Sequence, residues 1–185
     1  MVNDIVKDLE GNVAKAHESL KRELAKVRTG RANLALLDGV RVDYYGTPTP
    51  VNQVASVNVP DPRLITIKPW EKKLIPQIEE AIRKGELGVN PNSDGEVVRI
   101  PIPALTEERR RELTKVIKRM AEDARVAIRN SRRDANELLK EYQASGEITE
   151  DDHQQGQKKV QAVIDKGIEK VDELAGKKEA EIMEV

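Results

Sequence analysis

The stretch "NDIVKDLEGNVAKAHESLKRELAKVR", residues 3–28, decides how this chain folds. Ile5, Leu9, Val13, Ala16, Leu20, Leu24 and Val27 recur at steps of three and four, the spacing of an amphipathic helix. Gly30 stands where a left-handed residue would close that helix. A helix with one apolar stripe is not stable alone, so it needs partners of the same kind.

Two more stripes supply them. After "PALTEERR", with Thr106 as N-cap and Glu107 and Glu108 facing the positive helix end, Leu113, Ile117, Met120, Ala124, Ile128, Ala135, Leu138 and Tyr142 share a face. Ser145 and Gly146 break it. Thr149 then caps a last helix with Asp151 and Asp152 in its first turn, and Val160, Ile164, Ile168, Val171, Leu174 and Ile182 form its stripe. Each of these two helices runs roughly 50 Å at 1.5 Å per residue. Glycines at 156, 167 and 176 oppose the last helix by about 1 kcal/mol each. The pattern offers no reason for them.

Between the first and second stripes the composition changes. Here lie most of the prolines, Tyr44, Tyr45, the single Trp, and the β-branched runs "VRVDYY", "ASVNV", "LITIKPW" and "EVVRIPI". These predict strands, with one helix from about residue 74 to residue 84, stopped at Gly85. The expected fold class is α+β: an antiparallel three-helix bundle (residues 1–30 and 105–185) carrying an inserted small β/α/β domain (residues 31–104). An insertion has two connections, here Thr29, Gly30 and Arg31 on one side and Ala104, Leu105 and Thr106 on the other. Paired short connections predict an L-shaped, hinged molecule.

Composition narrows the chemistry. The chain has 185 residues, 35% of them charged, with 2% aromatics and no Phe or Cys, so its cores are aliphatic and thiolate, disulfide and Cys-zinc chemistry are excluded. No apolar leader or membrane-spanning run is visible, which predicts a soluble, unexported protein. His17 and His153 lie in charged helical surroundings and read as solvated. No metal site, cofactor site or phosphate-cradling glycine loop follows from the spacings. "YYGTPTP" reads as a packed hairpin, and Trp70 as closing the small core rather than stacking on a base.

One segment resists that bland reading. In "ARVAIRNSRRDANELL", residues 124–139, Arg125, Arg129, Arg132 and Arg133 crowd one flank of a chain whose net charge is −1. At 100° per residue Arg125 and Arg132 fall at the edge of the apolar stripe and Arg129 and Arg133 beyond it, while Asp123, Asp134 and Glu141 take the opposite flank. Such segregation fits an anionic partner, since the arginine fork matches paired phosphate oxygens. It fits equally a face whose charges pair within the bundle or are solvated. A nucleic-acid-binding protein and a helical protein adaptor with no RNA role are the two function classes left open by the residues themselves.

The strings "RTGRA" (28–32), "YYGTPTPVNQVA" (44–55), "LGVNP" (87–91), "RIPIPALTEERR" (99–110) and "IRNSRRDAN" (128–136) resemble, in order and spacing, the bacterial ribosome recycling factor family. The resemblance spans essentially the whole chain. It implies a bundle with an inserted domain, shaped rather like a transfer RNA, and no enzymatic activity. It also implies binding to the post-termination ribosome and, with elongation factor G and GTP, dissociation into subunits and release of mRNA. Arg129 and Arg132 are then expected to contact large-subunit rRNA, with Arg125 and Arg133 on the same stripe. Arg28 and Arg31 are expected to approach RNA at the hinge end of the first helix. The partners expected are the large ribosomal subunit, its rRNA and elongation factor G, with no membrane and no cofactor, for a cytoplasmic monomer.

Overall fold

The computed structural model of the protein describes residues 1–85 and 87–184. Glu86, inside the expected inserted range, and Val185, at the end of the expected bundle range, lie outside the described residues. The chain runs α1 (Val2–Lys26), β1 (Arg41–Tyr44), β2 (Thr47–Pro50), β3 (Ala55–Asp61), β4 (Leu64–Pro69), α2 (Ile75–Lys84), β5 (Asn92–Ser93), β6 (Val98–Pro101), α3 (Glu107–Ala144) and α4 (Glu150–Met183). It divides into two compact units, Met1–Thr29 with Glu107–Val185, and Gly30–Thr106. The class is α+β, a helical bundle with a small antiparallel sheet unit inserted in it.

In the helical unit the three stripes meet. Ile5, Leu9, Val13, Leu20 and Leu24 of α1, Ile117, Ala121, Ala124, Ile128 and Ala135 of α3, and Val160, Ile164, Val171 and Ile182 of α4 are buried. Each fully enclosed Ile or Leu contributes about 1.5–3 kcal/mol of burial, which is what holds helices too weak to stand alone. Asn3 reaches Lys159 and His17 reaches Gly167, so α1 and α4 run parallel. Arg125 reaches Asp172 and Leu139 packs at Gly156, so α3 and α4 run antiparallel. The turn between them ends on a reciprocal cap: Thr149 Oγ1 accepts from the Asp152 amide at 3.1 Å, and Asp152 Oδ2 accepts from the Thr149 amide at 3.1 Å.

Several local expectations are corrected. α1 stops at Lys26, with Val27 extended at φ −74°, so Gly30 is not its closing residue although its φ is +71°. Leu138 is 42% exposed and Leu139 is 0% exposed, because the buried face continues from Ala135 by a step of four. Two of the unexplained glycines now have a cause. A Cβ on Gly167 would stand 2.9 Å from Val13 Cγ1, and one on Gly156 would stand 2.8 Å from Leu139 Cδ2. At Gly167 a Cβ would meet the stiff Val13 side chain, and at Gly156 the end of the Leu139 side chain would have to shift to admit one. Gly176 has nothing within 4 Å of such a Cβ, and its presence has no packing reason.

The inserted unit is built by period-two alternation. Ile65, Ile67 and Pro69 of β4 and Val98 and Ile100 of β6 point inward while Lys68, Arg99 and Pro101 are exposed. All pairings are antiparallel, in the order β3-β4-β6-β5, with a register shift between Asn58 and Asp61 in the edge strand β3. Ile75, Ile78 and Ile82 bring one face of α2 into the same core as Val42, Val51 and Val54. β1 and β2 form a separate hairpin, Tyr44 facing Thr47. Its two turn residues, Tyr45 and Gly46, both have positive φ (51° and 80°), the geometry of the turn that matches strand twist.

Strand β5 falls outside the expected runs, because "NS" carries turn residues rather than an apolar alternation, whereas β2 completes the hairpin expected of "YYGTPTP". Gly85 does follow α2, but in an extended conformation. Trp70 overturns its expectation altogether. It is 70% exposed, and the aliphatic side chains of β4, β6 and α2 fill the core without it.

Candidate nucleic-acid interface

The candidate site is the flank of α3 that carries four arginines. On a 38-residue helix the backbone is rigid, so their directions follow from the helical step and from the buried face opposite. Arg125, Arg129 and Arg132 are half-buried and Arg133 is exposed. The flank is not a row of equal cations. Arg125 Nε donates to Glu122 Oε2 at 3.0 Å, and its Nη1 pairs with Asp172 Oδ1 on α4. Arg129 Nη2 pairs with the other oxygen of the same carboxylate, Glu122 Oε1. The Arg129 and Arg125 guanidiniums hold the Glu122 carboxyl below the usual carboxylate range, despite some desolvation.

Arg132 and Arg133 differ. Among the described residues neither forms an ion pair or side-chain hydrogen bond. One segment therefore presents two arginines neutralised by Glu122 and Asp172 and two that keep their whole charge. The expected pairing within the bundle and the expected free basic face are both present, on different residues. Asn136, one turn beyond Arg132, buries its Oδ1 with no hydrogen-bond donor to it among the described residues.

The other two predicted arginines stand apart. α1 is antiparallel to α3, so Arg28, just past the end of α1, belongs to the Leu113 end of the bundle. That is roughly 30 Å of helix rise from Arg132. Arg31 lies in the inserted unit. Both are exposed. The structure gathers Arg125, Arg129, Arg132 and Arg133 on one flank and leaves Arg28 and Arg31 outside it.

Glu122 is the site residue that the sequence reading misses. Its spacing of three and seven from Arg125 and Arg129 is a usable signal, since residues three apart are neighbours on a helix and an arginine leans back toward the N-terminus. Asp172 has no such signal, because it comes from another helix. His17 is also corrected: it is half-buried and its Nε2 donates to the Gly167 carbonyl at 2.8 Å, tying α1 to α4 rather than pointing into solvent.

The inserted unit holds a second polar cluster. Tyr44 and Tyr45 hydroxyls donate to the two oxygens of Glu71 at 3.1 Å each, and Lys73 pairs with Glu71 at 2.9 Å and lies 4.4 Å from the Tyr45 ring centroid. Lys73, Tyr45 and Tyr44 all stabilise the Glu71 carboxylate and lower its pKa. Tyr44 packs as the hairpin reading expects, whereas Tyr45 stays exposed. Among the described residues no three His, Cys, Asp or Glu side chains form a metal-holding group, and no helix is long and apolar enough to cross a membrane.

Comparison with known proteins agrees with this architecture. The family model described as "Ribosome recycling factor" matches residues 20–183. The ribosome-recycling factor of Myxococcus xanthus (strain DK1622) is 55% identical over 185 residues, covering 100% of both chains. That of Halalkalibacterium halodurans is 54% identical over 185 residues with the same coverage. A solution structure of a ribosome recycling factor is similar with a TM-score of 0.77 and 40% identity, over 100% of this chain and 98% of that one. A T. thermophilus ribosome recycling factor, placed together with E. coli elongation factor G on the E. coli post-termination complex, is similar with a TM-score of 0.66 and 41% identity, over 100% of both chains.

Proposed function

The chain belongs to the ribosome recycling factor family, and we propose that it binds the post-termination ribosome and, with elongation factor G and GTP, splits it into subunits and frees the mRNA. It works in the cytoplasm as a monomer and performs no bond chemistry of its own; the GTPase supplies the free energy. The similarity to a recycling factor placed with elongation factor G on a post-termination complex supports the choice of partners.

One observation carries the docking mode. Arg132 and Arg133 hold uncompensated charge on a rigid helix in a chain of net charge −1. Backbone phosphates of large-subunit rRNA are the ligand such a flank fits, because phosphate contacts fix position and need no base reading. Arg129 and Arg125 extend the contact, and Arg28 and Arg31 provide a separate approach to RNA. The connections at Thr29, Gly30 and Arg31 and at Ala104, Leu105 and Thr106 are the hinge through which the inserted domain passes on the force.

A subunit-splitting assay tests this reading. Post-termination ribosomes with elongation factor G and GTP should dissociate only when this protein is added. Salt-sensitive co-sedimentation with large subunits should accompany splitting. A protein that neither binds subunits nor splits them would instead be the helical adaptor.

A further inference from the structure

Glu122 is placed as no purely structural residue need be. It is half-exposed, on the same flank as the four arginines, and its two oxygens are divided between Arg125 and Arg129. Arg125 has a second anion in Asp172, which ties it to α4 whatever Glu122 does. Among the described residues Arg129 has Glu122 alone, seven residues back, and reaches two helical turns to meet it.

We propose that Glu122 competes with rRNA phosphate for Arg129, so that docking on the large subunit exchanges an internal ion pair for an external one and remains readily reversible. The inference rests on the RNA-docking reading above. An exposed pair of this kind is weak and Arg129 meets only one oxygen of Glu122, whereas a phosphate can accept two hydrogen bonds from its fork, so the exchange runs toward RNA when phosphate is near. Once Arg129 has turned away, the Glu122 carboxylate is left beside the phosphate backbone. That carboxylate, still held in place by Arg125, is a waiting partner that competes for Arg129 whenever the phosphate contact loosens. A factor used once per termination event needs release as much as binding, and Glu122 supplies it without touching Arg132 or Arg133.

The test uses the full chain and purified large ribosomal subunits, with dissociation followed after dilution. Glu122→Gln keeps the side-chain shape and one acceptor but removes the charge. It should bind about threefold to tenfold more tightly, chiefly through slower dissociation. The effect should vanish when Arg129 is Ala, so that Arg129→Ala and the double variant dissociate at the same rate. Thermal melting should stay within the wild-type range, which separates this role from bundle stability. Unchanged or faster dissociation of Glu122→Gln, or a gain that persists without Arg129, overturns the inference. Failure of the underlying reading is distinguishable: Arg132→Ala would then bind as wild type.

Discussion

Val13 of α1 faces Gly167 of α4 with no room between them, the Val13 Cγ1 atom lying 2.9 Å from where a Cβ on Gly167 would stand. Valine is stiff at χ1, so it cannot yield without backbone movement. Gly167→Ala should cost about 1–3 kcal/mol despite alanine's better helix propensity. Gly176→Ala, with open space around it, should gain about 0.5–1 kcal/mol. Chemical denaturation of the two variants measures both, and equal effects of like sign would refute the packing account.

Arginines of the α3 flank should separate into two classes. Arg132→Ala should weaken large-subunit binding by about 1.5–3 kcal/mol, with the bundle intact. The slope of log affinity against log salt should flatten by about 0.7–0.9 for each phosphate that the variant no longer neutralises. Arg125→Ala, which severs a tie to Asp172, should cost the bundle about 0.5–1 kcal/mol and affect binding less. Glu137→Ala is the control. Circular dichroism and salt-dependent sedimentation together check the division.

The two connections of the inserted unit touch: a Cβ on Gly30 would lie 3.0 Å from Leu105 Cγ, and the backbone there has φ +71°. Gly30→Val should therefore cost about 1–3 kcal/mol, from the left-handed conformation and the clash combined. Binding of the bundle to large subunits should persist, since the α3 flank is untouched, while splitting with elongation factor G should fall several-fold. Splitting at the wild-type rate would mean that these residues are only a linker.

Acid should weaken α4 through Glu173. Hydrogen bonds from Lys177 and Lys170 hold its carboxyl down at about 2, against an ordinary 4.5. A lowered native pKa stabilises above the unfolded value and ceases to do so as pH falls, here from about 4.5 to about 2. The melting-temperature gap between wild type and Glu173→Gln should close across that window. Both lysines are partly or largely exposed, so high salt should narrow the gap at neutral pH as well. A gap independent of pH would remove the ion-pair explanation.

Much of this is legible in the sequence because it is local. The α1 stripe from Ile5 to Leu24 and the Thr149 cap follow from spacing within one element, and the structure keeps them. Leu138 and Leu139 exchange places because a step of one residue is 100°, and an apolar pair leaves either reading open until the partner helices fix the face. β5 is hidden because Asn92 and Ser93 are turn residues by type, and only their pairing with β6 makes them a strand. Arg125 with Asp172 and Gly167 with Val13 depend on the register between helices, which no single-helix pattern contains. Glu122 is readable from its own helix, yet it sits among the arginines, where a segregated flank predicts no acid.

Trp70 has an optical consequence. It is the chain's one tryptophan, it sits 70% exposed in the inserted unit, and the bundle helices have none. Indole emission therefore reports on the insertion alone, while far-ultraviolet ellipticity is dominated by α1, α3 and α4. An unlabelled sample carries a separate channel for guest and host. Because the native indole already sits in water, its emission should lie near that of free tryptophan, and iodide should quench it efficiently. Any macromolecule that covers that side of the insertion should announce itself as a blue shift with weaker quenching, on the unmodified protein and in real time.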